Sequence, residues 1–319
     1  ELPTTIGIIV PHRIVGTFFV VMKKFLKTWM LPISMVGGVL FHNYMESISW
    51  VSPFLIFCML TVTFTKLKVR ELKITKFHWT LLCVQLLGCW AAYYMLYPIN
   101  PVVAEGAFMC VFMSTATAAP VVTGMLGGSV SMMATYSMLS NIALALTAPM
   151  YLSWISVGRD IAFADSFMRI GTQVVPMILV PFVLALLMRK FLPRLHSVVA
   201  SHQSASFWMW AVALFVVIGN AVSFVMKQPM EQLGVMIALA LISLVVCVLH
   251  FYCGRKIGAR FGDKVAGAQG LGQKNTILAL WVALTYLNPI ISIAPAAYIA
   301  WQNIINSAQL YRKAKYGEL

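Results

Sequence analysis

Apolar residues in this chain come in long runs separated by short polar stretches, with neither the alternation of a half-buried strand nor the stripe of a surface helix. A helix needs about 20 mostly apolar residues to cross a hydrocarbon core roughly 30 Å thick, and about ten such runs can be marked off. They centre on residues 30–42, 48–64, 77–97, 102–124, 130–153, 168–188, 205–226, 232–252, 265–287 and 289–309. The pattern predicts an all-α polytopic membrane protein. Segment 4–21 is apolar too, but "VPHRI" interrupts it, so residues 1–22 read as a lead-in.

Composition agrees: 61% hydrophobic residues, 10% charged residues and a mean hydropathy of +0.86 fit neither a soluble domain nor a disordered segment. A net charge of +14 raises the question of nucleic acid. The positions of the charges answer it, because they alternate by loop. Arg13, Lys23, Lys24 and Lys27 precede the first run, and Lys66, Lys68, Arg70, Lys73 and Lys76 follow the second. Further basic groups are Arg189, Lys190 and Arg194, then Arg255, Lys256, Arg260 and Lys264, then Arg312, Lys313 and Lys315. The intervening loops mix Arg159, Arg169 and Lys227 with Glu46, Asp160, Asp165 and Glu231. By the positive-inside rule both termini are cytoplasmic, in an inner or plasma membrane, and the partner of the basic charge is the lipid bilayer rather than nucleic acid.

Cys58, Cys83, Cys89, Cys110, Cys247 and Cys253 have no metal-ligand spacing and read as core residues. The six histidines read as span-end residues meeting the interface. Neither set supplies a metal or catalytic site. Glu105 is the one acid near a span, so an enzyme is not expected, and no obligatory protein partner is implied.

The polar stretch "SVGRDIAFADSF", 156–167, divides the runs five and five, into halves 23–158 and 159–319. An odd number per half forces any structural repeat to be inverted, a plan common among secondary transporters. In that plan, Gly/Pro-interrupted spans at matched positions point to the site. The fourth, "MSTATAAPVVTGMLGG" with Pro120, and the ninth, "VAGAQGLGQKNTILALWVALTYL" with Gly267, Gly270 and Gly272, both qualify. They predict broken, crossing helices whose freed ends attract ions; the alternative is a pair of kinked helices packed through small residues. "GAQGLGQKNT" is not a phosphate loop, because Gln273 separates the glycine from Lys274. "GRKIGARFG", 254–262, reads as a cytoplasmic amphipathic connector.

The last span's "AYIAWQNIINSAQL", with Trp301, Asn303 and Ile304, the third span's Gln85, and the five-plus-five layout resemble the bile acid:sodium symporter family. The resemblance implies a panel of spans one, two, six and seven beside a core of the other six. It also implies a cavity between them for organic anions, from bile acids to smaller carboxylates, driven by sodium. The likeness departs at the sodium sites. Family members carry a glutamate on the ninth span, four residues before a glutamine and closely followed by an asparagine; here Asn275 can be that asparagine but no carboxylate is present. Gln269 and Gln273 keep the spacing if Lys274 is an insertion; without it, Gly270 and Lys274 take the two places. Ala119, Pro120 and Met133 fall on oxygen-ligand positions of one sodium site, where only Ser137 keeps an oxygen. Sodium is a hard cation, and alanine or methionine cannot replace those oxygens.

Lys274 stands alone in its span, and a lysine near the middle of a hydrophobic span costs about 2.5–3.5 kcal/mol on insertion scales. Three explanations remain open: it replaces a coupling sodium, it grips the substrate carboxylate of a sodium symporter, or it snorkels to an interface. The expected substrate-binding residues are Thr117, Asn275, Asn303 and Lys274. Gln85, Ser137, Gln269, Gln273 and Lys274 are expected at the ion or coupling sites. No cofactor is expected beyond the sodium ion that the resemblance implies. The expected function is secondary active transport of an organic anion, with a channel or receptor as the alternative from another class.

Overall fold

The computed structural model describes residues 33–65, 73–116, 118–156, 163–201, 203–227 and 229–316. The lead-in 1–22, Thr117, most of the basic loop after the second run and much of the polar stretch 156–167 lie outside the described residues.

The described chain is helical. Residues 33–40 form a helix that ends in short turns, His42–Met45 and Glu46–Ile48. Then follow α1 (Val51–Thr65), α2 (Lys76–Leu96), α3 (Pro101–Phe112), α4 (Ala119–Met125) and α5 (Val130–Ser156). After them come α6 (Phe163–Phe191), a short α7 (Pro193–Ser201), α8 (Gln203–Met226), α9 (Leu233–Arg260), α10 (Lys264–Gly272), α11 (Thr276–Tyr286) and α12 (Ile293–Tyr316). Among the described residues, extended backbone pairs at one place only, an antiparallel bridge between Thr115 and Lys274.

Among the described residues, four helices are long and apolar enough to cross a membrane, or five if the pair His42–Ile48 and Val51–Thr65, bent by 72°, is one span. Two of the runs that fall short do so because they are broken. Run 102–124 is two helices, α3 and α4, and run 265–287 is two more, α10 and α11, each below the roughly 20 residues a span needs. The surface is that of a membrane-embedded protein. Ile237, Leu241, Val245, Val248, Leu249 and Tyr252 stand exposed along one face of α9, while glutamines, serines and two asparagines are buried inside the bundle. Water would penalise both choices; hydrocarbon penalises neither.

The helices fall into two groups. α1 packs against α6 and α8, and the turn at His42–Met45 packs on α8. α9, α10, α12 and α3 pack together, with α2 on α3 and α4 on α5, and α5 lies along α6. The stretch 254–260 belongs to α9 and is not a connector. Gly254 and Gly258 meet the backbone of Gly267 on α10, and a Cβ on any of the three would strike backbone atoms. The small residues at four-residue spacing therefore form an internal seam.

Helices α4 and α9 each end on a left-handed glycine. After α4, Gly127 has φ 83°, Gly127 N–H donates to Gly124 O (3.0 Å) and Gly128 N–H to Thr123 O (2.9 Å). After α9, Gly262 has φ 84°, and Asp263 N–H donates to Gly258 O (2.9 Å). Both are Schellman turns, which need the αL conformation that glycine adopts at no steric cost. Asp263 then ties the two regions together. Its Oδ1 accepts from Val265 N–H (3.0 Å) and Ala266 N–H (2.7 Å) as the cap of α10, and its Oδ2 accepts from Ser129 N–H (2.6 Å) at the start of α5.

Two expectations are corrected. Cys83 and Cys253 are exposed, so only some cysteines are core residues. His78 and His250 are buried rather than interfacial: His78 caps α2 through Thr75 and bonds Met132 O (3.1 Å), and His250 Nδ1 bonds the Tyr298 hydroxyl (3.1 Å). Each ring found a buried polar partner, which lets it leave the interface.

Candidate functional site

Breaking a helix at membrane depth frees carbonyls at one end and N–H groups at the other, and with no water there, protein must satisfy them. The two breaks do this for each other. Ala116 N–H donates to Gln273 O (2.9 Å) and Asn275 N–H to Ser114 O (2.8 Å), so the two irregular segments run antiparallel, backbone to backbone.

The freed carbonyls of α3 are taken by side chains from elsewhere. Lys274 Nζ donates to Val111 O (2.7 Å) and Met113 O (3.0 Å), and Gln85 Nε2 on α2 donates to Phe112 O (2.9 Å). Lys274 is 1% exposed, so it does not snorkel. Its cation sits at the negative end of a helix dipole, a placement worth up to about 2 kcal/mol where partly buried. Hydrogen bonds to a charged group add about 1.5–3 kcal/mol each, enough to offset the cost of the buried lysine.

Gln85 anchors a network. Its Oε1 accepts from Tyr136 OH (2.9 Å) and Ser140 Oγ (2.8 Å), and Ser140 Oγ in turn accepts from Thr115 N–H (3.1 Å). Thr115 Oγ1 donates to Gly270 O (2.7 Å), and Ser114 Oγ donates to Asn141 Oδ1 (3.0 Å). On the other side, Tyr298 OH donates to Gly272 O (2.9 Å), the last carbonyl of α10, and Lys274 N–H donates to Gln302 Oε1 (3.0 Å). Asn275 caps α11, accepting from Leu278 N–H (3.4 Å).

The expected residues thus divide. Gln85, Lys274 and Asn275 meet at the crossing, as structural partners of the breaks. Ser137 is at its edge, its hydroxyl donating to Ala116 O at 3.5 Å. Gln269 Nε2 donates to Asn306 Oδ1 (2.9 Å) and Gln309 Oε1 (3.2 Å), whereas Gln269 Oε1 and Gln273 Oε1 are buried without partners. Asn303 does not reach the crossing: it donates to Ile299 O (2.8 Å) in its own helix, and its neighbour Gln302 makes the contact. Thr117 lies outside the described residues. Ala119 and Met133 are buried in an apolar cluster with Phe77, Leu81 and Tyr136.

Sequence reasoning missed Tyr136, Ser140, Asn141, Tyr298 and Gln302. The signal was present as polar residues sharing a helix face: Tyr298, Gln302, Asn306 and Gln309 at i, i+4, i+8 and i+11 of α12, and Tyr136, Ser137, Ser140 and Asn141 on α5. In an apolar span such a face turns inward.

A second feature lies between the two helix groups. A cavity of about 330 Å³ opens between the start of α1, the last two turns of α8, and α11 with the turn after it. Lys227 Nζ donates to Glu46 Oε2 at 2.6 Å, and both residues line this cavity. The lysine's hydrogen bond and charge hold the Glu46 carboxyl below its ordinary value of 4.5.

Fold and site define a membrane-embedded helical protein with two interlocked helix breaks and a separate polar cavity. No protein-family model matches the chain, and no curated protein matches it.

Proposed function

We propose that this protein is a secondary transporter of an organic anion, built of ten spans in two inverted five-span halves and related in plan to the bile acid:sodium symporters, in which Lys274 serves as a built-in cation in place of a coupling sodium. The observation that carries the proposal is the Lys274 ammonium on the carbonyls of Val111 and Met113. Backbone carbonyls at the end of a broken helix are oxygen ligands of the kind a sodium ion takes in such transporters. Here a covalently held cation has them. Ala119 and Met133 supply no oxygen where the resemblance would put sodium ligands, which supports the same view.

The span count is supported by the apolar runs, with α3 plus α4 as the fourth span, α10 plus α11 as the ninth, and their breaks at matched positions of the halves. The packing of α1 against both α6 and α8 suits a panel, which meets the remaining helices mainly where α6 lies along α5, and the loop charges suit cytoplasmic termini. A sodium symporter with Lys274 gripping substrate is disfavoured by the burial and existing bonds of the ammonium.

Uptake into proteoliposomes across a sodium titration at fixed ionic strength tests the proposal. Saturable, sodium-independent uptake that is lost in Lys274→Gln is expected. Strong sodium dependence in the wild type overturns the exchange of lysine for sodium, and absence of saturable uptake overturns transport itself.

A further inference from the structure

α9 has two unlike faces. Gly254 and Gly258 meet α10 on one side, while on the other the exposed residues Leu241, Val245, Leu249 and Tyr252 recur at three- and four-residue steps and so form one apolar stripe. The same steps carry the line on to Lys256 and Arg260, both exposed. Apolar side chains therefore give way to cations along a single line at the end of the helix. Tyr252 marks the change. Lys256 Nζ lies 4.6 Å from the centre of its ring, a cation–π distance that holds the ammonium at the edge of the stripe. An aromatic ring and a cation closing an apolar face are the arrangement of a membrane–water interface.

Positive charge is in excess there. Residues 252–264 hold Arg255, Lys256, Arg260 and Lys264 against one acid, Asp263. Both carboxylate oxygens of Asp263 are spent on backbone N–H groups, those of Val265, Ala266 and Ser129. Phe261, edge-on to Phe77 at 6.0 Å, brings the start of α2 alongside, and with it the exposed Lys76.

We propose that this end of α9 binds an anionic phospholipid, whose phosphate pairs with Lys256 and Arg260 while an acyl chain lies along Leu241, Val245 and Leu249. Cations alone would take any phosphate, and an apolar stripe alone would take any lipid. Only an anionic phospholipid engages both, because a zwitterionic one brings an ammonium that already neutralises its phosphate. The lengths agree as well. From Leu241 to Tyr252 the stripe runs about 16 Å at 1.5 Å per residue, close to half of a hydrocarbon core roughly 30 Å thick, so it matches one leaflet. The inference needs only that the protein is membrane-embedded and stands apart from the transport reading.

The test titrates the full chain in detergent with fluorescent phosphatidylglycerol, with phosphatidylcholine of the same acyl chains as the neutral control and glycerol phosphate as a soluble competitor. Tighter binding of phosphatidylglycerol, with no competition by glycerol phosphate, is expected. Each Lys or Arg near an anionic lipid contributes roughly fivefold in affinity, so Lys256→Gln with Arg260→Gln weakens phosphatidylglycerol on the order of twentyfold and leaves phosphatidylcholine unchanged. Both side chains are exposed, so the unfolding midpoint in lipid-free detergent stays the same. Lys190→Gln with Arg194→Gln removes an exposed basic pair after α6 and should leave phosphatidylglycerol binding unaltered. Equal affinity for the two lipids, or unchanged phosphatidylglycerol affinity in the α9 double variant, overturns the site. An equal loss in the control pair overturns it in favour of the general field of a basic protein, and displacement of the lipid by glycerol phosphate overturns it in favour of a free-phosphate site.

Discussion

The crossing and the cavity are both polar regions in an apolar protein, and they handle their polar atoms in opposite ways. At the crossing, the carbonyls of Val111, Phe112, Met113, Gly270 and Gly272 each have a donor, and the donors come from two helices, α2 and α12, and the two breaks. At the cavity, Ser52 has no partner and Lys227 keeps an exchangeable one. A committed network rigidifies and costs much to disturb, whereas a partly committed one leaves capacity for a ligand. The difference makes the crossing a fixed element about which the helices are arranged and the cavity a region that yields at little cost.

Substitutions that attack the crossing and its supports should therefore cost far more stability than those at the cavity. The largest effect is expected at Gly267→Leu, because the added side chain meets the backbone of Gly254 and Gly258, which cannot yield as a flexible side chain could. Overpacking typically costs 1–3 kcal/mol, and contact with backbone places this variant at or above about 3 kcal/mol, read as loss of folded protein on gel filtration or a large fall in unfolding midpoint. Lys274→Met comes next. It leaves the Val111 and Met113 carbonyls unpaired at about 1–3 kcal/mol each, partly offset by relief of the buried charge, so a net loss of roughly 2 kcal/mol should appear in thermal unfolding in detergent. Partial restoration of that midpoint by sodium, but not by a large organic cation at equal ionic strength, would sharpen the case that the ammonium holds a cation's place.

Asp263→Ala is expected to cost about 1–2 kcal/mol, removing the cap of α10 and the acceptor for Ser129 N–H together. Asp263→Asn, which keeps an acceptor, should recover most of it. Smallest is the cavity pair. Glu46→Gln should leave the unfolding midpoint unchanged, because the pair it removes is exposed. Since Lys227 depresses the Glu46 carboxyl from 4.5, the pair is intact above that value and is lost only as the pH falls below it. Infrared titration of isotope-labelled Glu46 should show its protonation moving upward, toward 4.5, in Lys227→Gln. A midpoint at the cavity as sensitive as that at the crossing would break the contrast between the two regions.

The apolar runs alone determined the class of the protein, because an all-helical chain with its polar groups turned inward is the arrangement available to such runs in a membrane. They also marked both broken segments and set Lys274 apart, since glycine, proline and a lone cation are each costly inside a span. Pro120 did not mark the first break itself: the helix stops at Phe112 and resumes at Ala119, placing the proline in the first turn of α4, where its missing N–H costs nothing. Tertiary structure decided which side chains satisfy the freed backbone. Lys274 lies more than 150 residues from the carbonyls it holds, and nothing in the local pattern chose Gln302 over Asn303 for the crossing, a choice made by the rotation of α12 against α10. The cavity was illegible for the same reason. Glu46, Ser52, Asn220, Lys227 and Thr285 lie in three distant stretches, and only the packing of α1, α8 and α11 brings them around one volume.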